Sequence, residues 1–199
     1  MMGEALAIGS GWYWLMLGLM AVARGMDFLS TWVATPNLVL EGNPIARRLG
    51  WKWGGLVNVA VCVVFAAWPM TAITIATTSL LVAARNFQVA WLMRSMGEEN
   101  YRDWHVDRML EASPTLYVCC LLGQTAPVAV VGGALMYFGE DLQVIWLVPM
   151  GIGLGLIGYA LAVLVFSMWA VWRLRRTWRI ARQEARFEVP PLVSLLPPE

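Results

Sequence analysis

Long apolar runs separated by short polar segments dominate this chain. Several runs hold about 20 residues, which is the length that an α-helix needs to cross the hydrocarbon core of a bilayer. Prolines and polar turns mark the end of each run. The pattern predicts an all-α, polytopic membrane helical bundle of about five transmembrane helices, at 12–33, 50–68, 70–93, 115–138 and 142–172.

Prolines decide two of the predicted boundaries. Residues 49–92 are nearly all apolar, which is too long for one span and just long enough for two. Trp68-Pro69 is the favoured break, although a kinked span would also tolerate this proline. The polar segment at 94–114 predicts a short cytoplasmic surface helix at 98–111, ended by Ser113-Pro114, whose charges form a solvated face.

Composition supports the membrane class. Hydrophobic residues make up 59% of the chain and charged residues 14%, whereas soluble domains carry about 25% charged residues. The mean hydropathy is +0.63. The net charge of +1 gives no indication of nucleic-acid binding, so no nucleic-acid partner is expected. The three cysteines lie in apolar runs without metal-ligand spacing and are interpreted as small hydrophobic side chains.

Basic residues predict the topology. With five spans, the Lys and Arg residues outside the spans fall on one side, which the positive-inside rule makes cytoplasmic. The N-terminus is then outside and the C-terminus cytoplasmic, in a multi-pass protein of the cell inner membrane. Residues 1–172 form a single transmembrane domain and 173–199 a basic cytoplasmic tail. Its arginines, from Arg173 to Arg186, are expected to bind anionic lipids of the bilayer. A membrane protein partner or a homo-oligomer is a further expectation.

Polar side chains inside four of the spans lie at comparable depth, in the cytoplasmic half of the predicted bundle. They are Arg24 and Asp27 in the first span, Asn58 in the second, Arg85 and Gln88 in the third, and Gln124 in the fourth. A charge near the bilayer centre costs from about 2.5 kcal/mol upward. We therefore expect Asp27 to pair with Arg24 or with Arg85, either as a structural ion pair or as part of a site.

The functional interpretation is a polar site that faces the cytoplasm and binds a small ligand, a divalent metal ion or a lipid headgroup. Its ligand-binding candidates are Asp27, Thr31, Glu41, Asn43, Arg24 and Arg85. Oxygen atoms of Asp27, Glu41 and Asn43 could ligate a hard divalent metal ion, which would then be the cofactor. The two carboxylates could equally act as an acid/base pair of a membrane-embedded enzyme. The two arginines could instead hold an anionic headgroup. A structural or accessory subunit is the third alternative, so enzymatic activity stays open.

A short signature adds to this hypothesis. Residues 27–31 read DFLST, and EGNP follows at 41–44. This combination of an Asp, a Ser-Thr pair and then Glu-x-Asn-Pro resembles a family of small bacterial and archaeal multi-pass membrane proteins of unknown function, over residues 20–95. The resemblance implies that Asp27, Thr31, Glu41, Asn43 and Pro44 belong to one site. It implies no reaction.

Overall fold

A computed structural model describes residues 5–40, 44–139 and 146–188, with side chains at 5–40, 47–139 and 146–178. The described residues contain six α-helices and no strand, which confirms the all-α prediction for them. The helices are α1 (Gly11–Ala34), α2 (Pro44–Phe65), α3 (Pro69–Met96), α4 (Glu98–Glu111), α5 (Pro114–Gly139) and α6 (Leu147–Glu188). Among them, α5 and α6 are long and apolar enough to cross a membrane. The count of five spans stays a prediction.

Local sequence signals explain where the helices begin and end. The Ser10 hydroxyl caps α1 by accepting a hydrogen bond from the Tyr13 amide at 3.2 Å. Helix α1 ends at Ala34, because its C-cap residue Thr35 precedes a proline and is disfavoured in helical conformation. The chain turns at 66–68, and α3 begins with Pro69 in its first turn.

Two glycines permit sharp changes of direction. Gly97 has φ 81° and separates α3 from α4, while Gly50 has φ 64° and interrupts α2. Both values lie in the left-handed region, where a Cβ is unfavourable. The kink at Gly50 therefore lets the first turns of α2 take a different direction from the rest of the helix.

Helix α3 is the centre of the bundle. It packs against α1 on one side and against α6 on the other, while α5 packs on α6. Helix α2 contacts α1, and at one end the Tyr13 hydroxyl donates to the Val63 carbonyl oxygen at 3.1 Å. Beside this contact, Met20 is fully buried and Cys62 is buried. The part of α2 from Gly50 to Asn58 lines a cavity.

Small residues let α3 and α6 approach closely. The Thr74 hydroxyl lies 3.3 Å from the Gly151 carbonyl oxygen, and the Thr78 hydroxyl lies 3.1 Å from that of Gly155. A Cβ at Gly155 would lie 2.6 Å from the Thr77 Cβ. The Gly-x-x-x-Gly spacing at 151–155 thus forms a helix–helix contact with interhelical hydrogen bonds.

Helix α5 contacts the opposite face of α6 in a similar way. A Cβ at Gly153 would lie 2.6 Å from the Gly132 carbonyl oxygen, and a Cβ at Gly132 would lie 2.8 Å from the Gly153 carbonyl oxygen. Glycine on both helices allows this approach. Helix α6 is therefore fixed from two sides, by α3 and by α5.

The basic tail begins inside α6. This helix is 42 residues long and continues from the apolar run to Glu188. Arg175 donates hydrogen bonds to the carbonyl oxygens of Met109 at 3.1 Å and Ala112 at 2.6 Å. An arginine at carbonyl groups of a helix C-terminus is favourable. Arg175, one of the arginines expected to bind lipid, thus holds the end of α4 against α6.

Candidate functional site

A cavity of ≈690 Å³ lies among α1, α2, α3 and α6. This volume is in the range of small-molecule sites. The polar side chains that α1, α2 and α3 contribute to its lining are Arg24, Asp27, Thr31, Asn58, Arg85 and Asn86. Four of the six candidates from the sequence, Arg24, Asp27, Thr31 and Arg85, therefore line one cavity.

Arg24 forms hydrogen bonds with side chains from three helices beside the cavity. Its Nη1 lies 2.8 Å from Asp27 Oδ2 and 3.2 Å from Ser79 Oγ. Its Nε donates to Asn58 Oδ1 at 2.8 Å, and its Nη2 donates to the same oxygen. One guanidinium thus connects α1, α2 and α3. Of the two pairings that the sequence left open for Asp27, the structure forms the one with Arg24.

Asn86 connects α3 to the hydroxyl groups of the DFLST signature. Its Nδ2 lies 3.2 Å from Ser30 Oγ and 3.3 Å from Thr31 Oγ1. Both hydroxyls donate to the carbonyl oxygen of Asp27, at 2.8 and 3.0 Å. Thr31 therefore orders α1 against α3. Sequence reasoning missed Asn86, although its seven-residue spacing from Ser79 places both on one face of α3.

Arg85 differs from Arg24 in its surroundings. It is half-buried and lines the cavity, and it forms no hydrogen bond or ion pair with any described residue. Its positive charge acts on two side chains of α4, Tyr101 and His105. There, burial lowers the pKa of His105 and Arg85 lowers it further. Burial raises the pKa of Tyr101, and Arg85 opposes that rise. The Tyr101 and His105 rings are stacked, with centroids 5.7 Å apart.

Glu98, in the first turn of α4, holds the loop that follows α1. Its Oε2 accepts hydrogen bonds from the Thr35 hydroxyl at 2.7 Å and the Val39 amide at 3.2 Å. Its Oε1 accepts from the amide and the side chain of Asn37, both at 3.0 Å. The prediction that the charges of 98–111 form a solvated face is wrong for Glu98. Its carboxylate fixes the loop at 35–39, two residues before Glu41.

Glu98 makes this contact dependent on pH. Burial raises the pKa of Glu98, but the hydrogen bonds from Thr35, Asn37 and Val39 outweigh burial and lower it below its usual value of 4.5. A carboxylate with a lowered pKa stabilises the folded state above its usual pKa. That stabilisation is lost as the pH falls from 4.5 through the lowered value.

We therefore expect Glu98→Gln to reduce the free energy of unfolding by about 1–2 kcal/mol at neutral pH, after allowance for partial exposure. The difference between wild type and variant should shrink as the pH falls below about 4.5. Melting temperatures of both proteins in neutral detergent, from pH 7 to pH 3, measure this difference. Glu99→Gln, on the neighbouring exposed residue, is the control. A constant difference across this range would contradict the assignment.

Glu41 and Asn43 lie outside the described residues, so the metal site predicted from Asp27, Glu41 and Asn43 stays a prediction. Among the described residues, no group of three His, Cys, Asp or Glu side chains converges as metal ligands would. The carboxylate of Asp27 is engaged by Arg24. The loop before Glu41 reaches the cavity, because Leu38 and Leu40 line it.

Two polar residues of the spans do not reach the cavity. The side chains of Gln88 and Gln124 do not line it, and that of Gln124 is exposed on the surface of the bundle. Helix α5 contributes no residue to the cavity lining. The comparable depth of Gln88 and Gln124 along the predicted spans thus does not bring them to the cavity. Residues of α6 line it instead, among them Tyr159 and Ser167.

Comparison with protein-family models, curated proteins and solved structures finds no match for the chain. The family resemblance based on Asp27, Thr31, Glu41, Asn43 and Pro44 stays an expectation.

Proposed function

We propose that this chain is an integral protein of the cell inner membrane that binds an anionic ligand in the cavity, with Arg85 as the receiving cation. One observation carries the proposal: Arg85 lines the cavity half-buried and is unpaired among the described residues, whereas Arg24 is paired with Asp27. A cation withdrawn from water without an anionic partner is costly. An anionic ligand would offset that cost.

The surface of the helices supports the membrane location. In the most apolar 18-residue windows of α5 and α6, the buried share is only 17% and 28%. A soluble bundle would bury such helices in its core. Large apolar side chains are also exposed along α1 and α2, including Leu15, Val22, Leu56 and Val59. Helices α1, α2 and α3 are therefore proposed to cross the membrane with α5 and α6, which gives five spans.

The distribution of charge supports the orientation. The contact of Glu98 with Thr35 and that of Arg175 with Ala112 place α4, the loop after α1 and the basic part of α6 at one end of the bundle. The positive-inside rule makes this end cytoplasmic. The N-terminus is then outside the cell and the C-terminus in the cytoplasm.

The charge of the cavity favours an anion over a metal cation. Asp27 carries one negative charge, and Arg24 and Arg85 each carry a positive one, so the described ionisable lining has a net charge of +1. Phosphate and carboxylate groups match the fork of donors that arginine presents. This same lining offers only one carboxylate, and Arg24 already binds it.

Replacing Arg85 tests the proposal. We expect Arg85→Gln to weaken anion binding roughly tenfold or more, because it removes a charge-assisted hydrogen bond. The control is Arg94→Gln, which removes an exposed arginine of the same helix outside the cavity. The measurement is the rise in melting temperature, in neutral detergent, on adding inorganic phosphate, glycerol phosphate or phosphatidylglycerol. Equal rises in both variants and wild type for every anion would refute the proposal.

A further inference from the structure

The cavity has an open side between α2 and α6. Both helices line it, yet no Cα atom of α2 lies within 8 Å of a Cα atom of α6 among the described residues. Helices α1 and α3 form the floor, and Leu38 and Leu40 of the loop held by Glu98 lie at one end. No other described helix contributes to the lining, so the gap between α2 and α6 faces the surroundings of the bundle.

Polarity changes from the floor to the walls. The floor carries Arg24, Asp27, Arg85 and Asn86, which are charged or amide side chains. The walls are mostly apolar and aromatic. They are lined by Trp51 and Gly54 from α2 and by Val163, Phe166, Trp169 and Ala170 from α6, and Asn58, Tyr159 and Ser167 are their polar residues. Phe166 and Trp169 are also exposed on the outer surface. An apolar surface therefore continues from the walls to the outside of the bundle.

This arrangement matches an amphiphile better than a small soluble anion. An anionic headgroup would meet Arg85 at the floor, while an acyl chain would follow the aromatic walls through the gap. A second cation lies near the opening, because the Arg173 guanidinium stands 5.3 Å from the ring centroid of Trp169. In a membrane the gap opens onto hydrocarbon, so an acyl chain need not leave the bilayer for the headgroup to bind.

We propose that the ligand of the cavity is an anionic membrane lipid that enters sideways between α2 and α6. This inference rests on the proposed function, since it requires Arg85 to receive an anion. The ligand is then a lipid, it enters between α2 and α6, and its acyl chain contacts the walls of the cavity. Charge complementarity at Arg85 and the continuous apolar wall select a lipid as the occupant.

Photolabelling tests the inference on the full chain. The probe is phosphatidylglycerol with a diazirine in one acyl chain, mixed into neutral-lipid vesicles that hold the protein, and labelled residues are mapped by mass spectrometry. We expect labels on Trp51, Phe166 and Ala170. In Arg85→Gln, the amount of label on these residues should fall roughly tenfold. Labels on Leu116 and Val130, on the exposed face of α5, measure contact with lipid that surrounds the bundle without entering the cavity.

A pair of neighbouring glycines supplies a matched control for the gap. Gly54 lines the cavity and Gly55 does not. A Cβ at either position would meet only the Phe28 ring, at 3.8 and 3.9 Å, so both positions accept a Cβ at ordinary contact distance. We expect Gly54→Leu to reduce the labels on Phe166 several-fold while Gly55→Leu leaves them unchanged.

The outcomes separate this inference from the proposed function. Labels that are as frequent on α5 as in the gap, and unchanged in Arg85→Gln, would overturn lateral lipid entry. Glycerol phosphate could stabilise the protein in an Arg85-dependent manner while the residues of the gap stay unlabelled. This result would support anion binding at Arg85 and overturn the inference that the ligand is a lipid. If no anion depends on Arg85, the proposed function fails as well. Equal labelling by the matching phosphatidylcholine probe would overturn the requirement for an anionic headgroup.

Discussion

Gly155→Ala is expected to lower the free energy of unfolding by about 2–3 kcal/mol, the cost of overpacking a filled interface. The added Cβ would lie 2.6 Å from the Thr77 Cβ and 2.9 Å from the Thr74 carbonyl oxygen. The Thr74 atom belongs to the backbone and cannot rotate away, so α3 and α6 must separate. That movement would also weaken the hydrogen bond from Thr78 to the Gly155 carbonyl oxygen.

The same helix supplies the control for Gly155. A Cβ at Gly158 would approach only the Thr78 hydroxyl, at 3.9 Å. Gly158→Ala should therefore be neutral or slightly stabilising, because alanine has the higher helix propensity by about 1 kcal/mol. Equilibrium unfolding in mixed detergent micelles measures both variants. Similar stabilities for the two would show that α3 and α6 do not pack through Gly155.

Arg24→Met is expected to reduce the free energy of unfolding by about 3 kcal/mol, near the lower limit for breaking a buried ion pair. The side chains of Arg24 and Asp27 are 28% and 18% exposed, so water screens the pair only in part. The change also removes the donors to Asn58 and Ser79, which hold α2 and α3 to α1. The negative charge of Asp27 then remains at the cavity floor without its arginine.

The double variant Arg24→Met/Asp27→Asn tests this explanation. Because the two side chains form one interaction, the double variant should be less destabilised than the sum of the single variants by about 1–2 kcal/mol. The four proteins of this cycle are compared by unfolding in the same micelles. Strict additivity would mean that the contact between Arg24 and Asp27 contributes nothing to stability.

The positions of the helices followed from local signals in the sequence. Pro69 and Pro114 lie in first helical turns, and Gly97 separates two helices with a positive φ that other residues rarely adopt. The pairing of Arg24 with Asp27 was also predictable, since their i, i+3 spacing brings them together on one helix. These predictions needed no knowledge of which helices are neighbours.

Contacts between distant parts of the chain were not predictable in this way. Glu98 lies in a run of charged residues, so nothing in its surroundings indicated the contact with Thr35, 63 residues away. Asn86 is uncharged and stands between more conspicuous residues. Gln124 lies outside the cavity for a related reason, because depth along a helix does not determine which of its faces meets the bundle.

Helix α6 runs without interruption from the cavity wall to the basic end of the chain. At 1.5 Å per residue its 42 residues extend about 63 Å, roughly twice the hydrocarbon thickness of a bilayer. Gly151 and Gly155 fix the first turns against α3, while Phe166 and Trp169 at the cavity lie farther along. Because Arg175 also holds α6 to the end of α4, the stretch with Phe166 and Trp169 is anchored on both sides, and a change in the width of the gap would require α2 to move.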